Sequence, residues 1–119
     1  MKVVKLDGRK IAESFHEYFA EQFGFPDFYG HNMDAWIDCI TYLDEPTAGM
    51  STKIFVQPGE SIVFHIDYVK ALKTSNREEY DELIEGVAFV NFRRIENNRG
   101  TPLIYLSFFD NEHRLDSDN

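Results

Sequence analysis

Three side chains with chemistry to offer, His31, Asp34 and Asp38, stand three and four residues apart inside "GFPDFYGHNMDAWIDC" at 24–39, directly behind the aromatic pair Phe28 and Tyr29. One imidazole and two carboxylates at that spacing could converge on a metal ion from a single face. A catalytic metal, however, recruits further strong ligands with supporting hydrogen bonds, and the sequence announces none. Asp34, two residues past a helix-capping Asn32, also fits a plain helix-start acid favoured by the dipole. Asp38 is harder to explain that way. It falls in the second turn, where the dipole helps little and Asp is a poor helix former. Exposed aromatics beside a glycine, here Phe28, Tyr29 and Gly30, are what protein interfaces use, and carboxylates among them would complement a basic cleft.

Other constellations carry less. No G-x-S-x-G, P-loop or H-E-x-x-H occurs, and His16, His31, His65 and His113 are scattered over helix, loop, strand and tail. The single cysteine, Cys39, can close no internal disulfide and reads as a small core residue. The acid run "REEYDELIE" is a solvated helix face from which one acid could join an interface, and Arg93 and Arg94 suit the negative end of the same helix.

The elements that must position these residues follow from periodicity. The β-branched run at 3–6, closed by Asp7-Gly8, predicts a strand. One helix is expected over "RKIAESFHEYFAEQFG", where Ile11, Phe15, Phe19 and Phe23 recur every four residues, with His16 at the border of that stripe and Gly24 and Pro26 ending it. Asn32 caps a second helix whose inward stripe is Met33, Trp36, Ile37, Ile40 and Leu43, leaving Asp34 and Asp38 on another side. Runs at 53–56 and 61–66 flank a Pro58-Gly59 turn, the second being the core strand and the first an antiparallel addition. Asp67 is a candidate cap for the short helix "YVKALK", and Ser75 with Glu78 forms a capping box for a long third helix buried through Tyr80, Leu83, Ile84, Val87 and Val90. The last strand is expected at 103–108. The order is α/β: a single small domain at 1–110 with a three-stranded parallel sheet packed with helices, followed by a flexible acidic tail at 111–119.

Composition limits the partners. With 119 residues, eleven Phe, six Tyr and one Trp, the chain can fill one core. Twelve basic against twenty-one acidic side chains give a net charge of -9, which disfavours nucleic acid and anionic membranes. With no signal-like or membrane-spanning apolar run, the chain is expected to be cytoplasmic and monomeric.

"PDFYGHNMDAWIDC" resembles a segment of the barstar family, P-[DE]-[aromatic]-Y-G-x-N-x-D-A-x-x-D-x-[apolar], over Pro26 to Ile40, and the element order over 3–108 is similar as well. The resemblance implies a protein without catalytic residues, cofactor or metal that inhibits a basic ribonuclease or related toxin, one to one, and so serves as an immunity protein. It implies that Asp38 is the main phosphate-mimicking acid and that Phe28, Tyr29, Gly30, Asn32 and Asp34 meet the enzyme. Ile37 would join them from the position before the second acid, where the best-known member has a Trp. Phe28 replaces a tyrosine, and the connection at 42–75 is longer than in that member. A barstar fold with another partner, or a metal-assisted hydrolase using His31, Asp34 and Asp38, are the alternatives.

Overall fold

The computed structural model describes residues 1–97 and 100–110, so the expected tail at 111–119 and its His113 lie outside the described residues. The chain runs β1 (Lys2–Asp7), α1 (Gly8–Glu13), α2 (Phe15–Phe23), α3 (Met33–Thr41), a 3-10 turn at Pro46–Ala48, β2 (Ile62–Asp67), α4 (Val69–Ser75), α5 (Arg77–Glu96) and β3 (Ile104–Phe108). The strands form one parallel sheet in the order β1-β2-β3, with Val4, Phe64 and Leu106 in register across it. Parallel neighbours need long crossovers, and the helices supply them. In β2, Ile62, Phe64 and Ile66 are buried while Val63, His65 and Asp67 are partly exposed, so the helices cover chiefly one face. Among the described residues no helix is long and apolar enough to cross a membrane.

The core is aromatic. Phe19 meets Trp36 edge-on at 5.5 Å between ring centroids, stacks on Phe23 at 5.6 Å, and Phe23 meets Phe64 edge-on at 5.5 Å. These arrangements suit ring quadrupoles and join α2, α3 and β2.

The expected first helix is two. At Ser14 the backbone leaves helical geometry (φ -159°, ψ 76°), so α1 ends and α2 begins. The carbonyl of Ala12, near the end of α1, accepts from Asn76 Nδ2 at 3.1 Å. Asn76 Oδ1 in turn accepts from the Glu79 amide at 3.2 Å, which makes Asn76 the N-cap of α5 and displaces the expected Ser75. Asp67 does not cap α4 either: its carboxylate pairs with His65 Nε2 at 2.8 Å, and Tyr68 takes the cap position in left-handed conformation (φ 55°). That turn backs onto the β1–α1 turn, where a side chain at Gly8 would strike the carbonyls of Asp67 and Tyr68 at 2.6 Å.

The antiparallel strand expected at 53–56 is absent. Its backbone serves elsewhere: the Lys53 amide donates to the carbonyl of Phe23 at 2.9 Å, Thr52 to that of Gly24 at 3.1 Å, and Val56 to that of Leu43 at 2.8 Å. The segment satisfies carbonyls left open at the end of α2, which a regular strand there could not do.

Candidate functional site: an acidic loop–helix surface

The loop at 24–32 is fixed from behind. Gly24 ends α2 in left-handed conformation (φ 72°), and a side chain there would collide with Thr52 and Lys53. The Tyr29 amide closes a turn on the carbonyl of Pro26 at 2.9 Å, which leaves Phe28 at the apex, 77% exposed. Tyr29, expected as an exposed contact, is only 7% exposed: its ring packs on Phe25 and its hydroxyl meets His16 Nδ1 at 2.5 Å. Burial holds the phenol well above its usual range, so the hydroxyl stays protonated beside a neutral His16. Burial, and secondarily His31, push the His16 pKa down, which favours that neutral form.

His31 takes a left-handed conformation (φ 53°) just before the helix, a feature with no mark in the sequence. Asn32 caps α3 as expected, accepting from the Ala35 amide at 2.8 Å and donating to the carbonyl of Gly30 at 3.3 Å. Gly30 does not need a positive φ. A side chain there would approach the Asn32 amide group to 3.2 Å and crowd the cap.

The back of α3 is Trp36, Cys39 and Ile40, all buried. Burial, reinforced by Asp38, pushes the Cys39 thiol up to about 11, so it is unreactive as well as hidden. On the front, Asp34 and Asp38 are exposed, and neither carboxylate makes a hydrogen bond or ion pair among the described residues. Ile37 is half-buried beside them.

Across from α3, α5 completes the surface. Met33 and Ile37 of α3 and Glu82, Glu85, Gly86 and Phe89 of α5 line an open groove of about 330 Å³. Gly86 permits the contact, because a side chain there would lie 2.7 Å from Trp36 and 2.9 Å from Met33. Burial, then the neighbouring Glu78 and Glu85, raise the pKa of Glu82. This side of the molecule is therefore an apolar furrow between acids.

The metal arrangement drawn from spacing does not form. Among the described residues the one set of three acid or histidine side chains whose donor atoms fall within 4.8 Å of one another is Glu78, Glu79 and Glu82, on the first turns of α5. His31, Asp34 and Asp38 are not gathered. Sequence reading also missed Arg94, expected as a surface cation at the helix end. It is buried, its Nη1 on Asp44 at 3.1 Å and its Nη2 on the carbonyl of Glu60 at 3.2 Å. Its place on the stripe Leu83, Val87 and Val90, one turn further on, was the available signal.

Set beside known proteins, residues 1–103 match the family described as "Barstar (barnase inhibitor)". A protein of Bacillus subtilis (strain 168) named "Putative ribonuclease inhibitor YrdF" is 39% identical over 49 residues, which take in 39% of this chain and 54% of the relative. The match thus spans about half the length of that curated relative. With the family match reaching from the first strand to the threshold of the last, and with a three-stranded parallel sheet carrying the loop and helix just described, the chain belongs to the barstar family.

Proposed function

We propose that this protein is a proteinaceous inhibitor that occupies the active site of a basic ribonuclease or related toxin with the surface formed by the loop at 24–32, α3 and the facing acids of α5. The observation that carries the reading is the state of Asp34 and Asp38: exposed, without hydrogen bond or ion pair among the described residues, on a helix whose opposite side is locked into the core. A ribonuclease active site presents clustered cations and donors to a phosphodiester. A carboxylate held rigidly at the phosphate position takes the same hydrogen bonds, and because it is fixed beforehand it gives up little entropy on binding.

Each contact has a role in this reading. Asp38 is the central acid and Asp34 its neighbour one turn earlier. Phe28, Gly30 and Asn32 meet the enzyme from the loop, Ile37 supplies apolar contact, and Tyr29 acts from below by holding the loop. Glu82 and Glu85 line the groove opposite Ile37, which supports extending the acid surface across to α5. The protein catalyses nothing; it binds one enzyme molecule inside the cell that makes the enzyme.

Titrating the protein into a panel of small basic microbial ribonucleases tests the reading. One member should bind at 1:1 in calorimetry, lose RNA hydrolysis competitively with RNA, and associate more slowly as salt rises. A complex that leaves turnover of RNA unchanged would refute active-site occupation.

A further inference from the structure

An α-helix leaves its last carbonyls without partners of its own. In α2 the carbonyl of Ala20 is met from within, by the Gly24 and Phe25 amides at 2.9 and 3.1 Å. Those of Glu21, Phe23 and Gly24 are met from residues 51–54, which form neither helix nor regular strand. Lys53 Nζ donates to Glu21 at 3.0 Å, a cation set against the negative end of a helix whose last turn has no basic residue. The Lys53 amide donates to Phe23 at 2.9 Å. Thr52 donates to Gly24 from both its amide and its hydroxyl, each at 3.1 Å. The single O–H of buried Ser51 lies between the carbonyls of Phe23 at 2.9 Å and Ile54 at 2.6 Å, so it closes the segment on itself while gripping the helix.

These bonds sit at the root of the loop at 24–32. Phe25, next after Gly24, packs its ring on Phe23 at 5.8 Å and on Tyr29 at 4.8 Å between centroids, and the Tyr29 amide closes the turn that leaves Phe28 at the apex. The other end of the segment reaches α3. Val56, itself buried, donates its amide at 2.8 Å to the carbonyl of Leu43, two residues past that helix. Residues 51–56 therefore hold both carriers of the acidic surface, the loop by its root and α3 by its end. Ser51, Thr52 and Lys53 take no part in lining the groove between α3 and α5.

We infer that Ser51, Thr52 and Lys53 are positioning residues for the inhibitory surface, fixing the root of the loop relative to α3 so that an enzyme meets Phe28, Asp34 and Asp38 already in place. The inference rests on the function proposed above. Its physical content is preorganisation: a loop ordered before the encounter gives up less freedom on binding, whereas one loosened at its root has to be ordered by the enzyme. Loosening the root therefore weakens capture even though no group that meets the enzyme has changed. Gly24 belongs to the same fit, because a side chain there would press on Thr52 Oγ1 and on the Lys53 amide.

Hydrogen exchange on the whole chain, with no enzyme present, reads the grip directly. Ser51→Ala and Thr52→Val each remove a hydroxyl and keep the backbone amides. Each should speed exchange of the Phe25 and Tyr29 amides by about tenfold while the Phe64 and Ile66 amides of β2 keep their rates. Thr52→Ser, which retains the hydroxyl, should exchange as the wild type does. Calorimetric titration with the ribonuclease that binds the wild-type chain should give a dissociation constant raised about fivefold by both loosening variants and unchanged by Thr52→Ser. Unchanged exchange at Phe25 and Tyr29 overturns the inference, as does a rise shared equally by the β2 amides, which would make the bonds merely structural. So does a loosened loop that binds as tightly as before. Weaker binding by Thr52→Val with a loop still rigid overturns it too, since Thr52 would then touch the enzyme itself. Should no ribonuclease bind, the proposed function falls, and the exchange rates alone decide whether the segment grips the loop.

Discussion

Asp44 and Asp38 stand six residues apart, one closing α3 from beyond its end and the other on its exposed front. Asp44 is 5% exposed. It accepts from Arg94 Nη1 at 3.1 Å and from the Gly59 amide at 3.3 Å, tying the end of α3 to α5 and to the turn before β2. Among the described residues Asp38 meets no cation. A charge that serves the fold is withdrawn from water only with its counter-charge in place, because burying it alone is prohibitive. A charge left on a rigid helix without a partner contributes little to the fold, and on the proposed reading its counter-charge comes from the bound enzyme. The two aspartates therefore separate stability from binding, and substitutions should separate them in measurement.

The largest expected effect is on binding. Asp38→Ala should weaken the complex with a cognate ribonuclease by on the order of 4 to 8 kcal/mol, since the enzyme's cations would be buried without their acid. That magnitude is the one measured for hot-spot acids, barstar's own among them, and is carried over rather than drawn from this geometry. Stability should hold, or rise by about 0.5 kcal/mol as a poor helix former is replaced. Asp34→Ala should cost less affinity, together with a small loss of stability from the helix start. Calorimetry and thermal melts on the same samples read both quantities; equal losses of stability and affinity for Asp38→Ala would erase the distinction.

The Asp44–Arg94 pair should behave the other way round. Arg94→Met removes the buried guanidinium that Asp44 meets at 3.1 Å and should destabilise by about 3 to 5 kcal/mol. Removing both charges together should cost less than the two single changes added, as coupled partners do. Urea denaturation of the two singles and the double gives the coupling. Affinity per folded molecule should stay near wild type, because both side chains are buried and closed on each other.

Trp36 and Ile37, adjacent on α3, sharpen the comparison at shorter range. Trp36 is fully buried among Phe15, Phe19 and the Gly86 backbone, so Trp36→Ala should cost about 3 to 5 kcal/mol. Ile37 lines the open groove, and Ile37→Ala should lose less stability and more affinity. A blue-shifted native Trp36 emission is the spectroscopic check. Three-and-four spacing made the inward Trp36 legible but set Ile37 on the same stripe, and the open groove against α5 is what leaves Ile37 half-buried; β-branched runs located the three strands, and the residue type at Asn32 the cap. What escaped depended on distant partners. The break at Ser14 goes with an Asn76 side-chain amide on the Ala12 carbonyl, sixty-four residues apart in sequence, and the segment at 53–56 lost its strand to carbonyls at the end of α2. Tyr29 looked like a surface aromatic because nothing local shows that His16, thirteen residues earlier, waits for its hydroxyl.

The smallest expected effect concerns that hidden support under the loop. His16 has its pKa lowered from the ordinary 6.5, first by burial and then by His31, so the unfolded chain takes up the proton more readily than the folded one. Stability from this residue is therefore fully present above about pH 6.5 and declines as pH falls below it toward the folded pKa. Asp7, whose carboxyl is lowered chiefly by its hydrogen bond with Arg9, adds a loss of the same sign only further down, as pH falls through and below 3.8. Glu79 and Glu82, raised above 4.5 by burial and by neighbouring acids, act oppositely and recover some stability as they protonate. The His16 contribution is thus to be sought as pH falls below 6.5, and His16→Gln should flatten the melting temperature there while the lower limb persists. Tyr29→Phe removes the hydroxyl bonded to His16 and should cost about 0.5 to 1.5 kcal/mol. If the hydroxyl positions the loop, it should also slow capture of the enzyme at pH 7. Should Tyr29→Phe alter neither the melt nor the capture rate, the loop would be held by its ring packing on Phe25 and by the Gly24 turn alone.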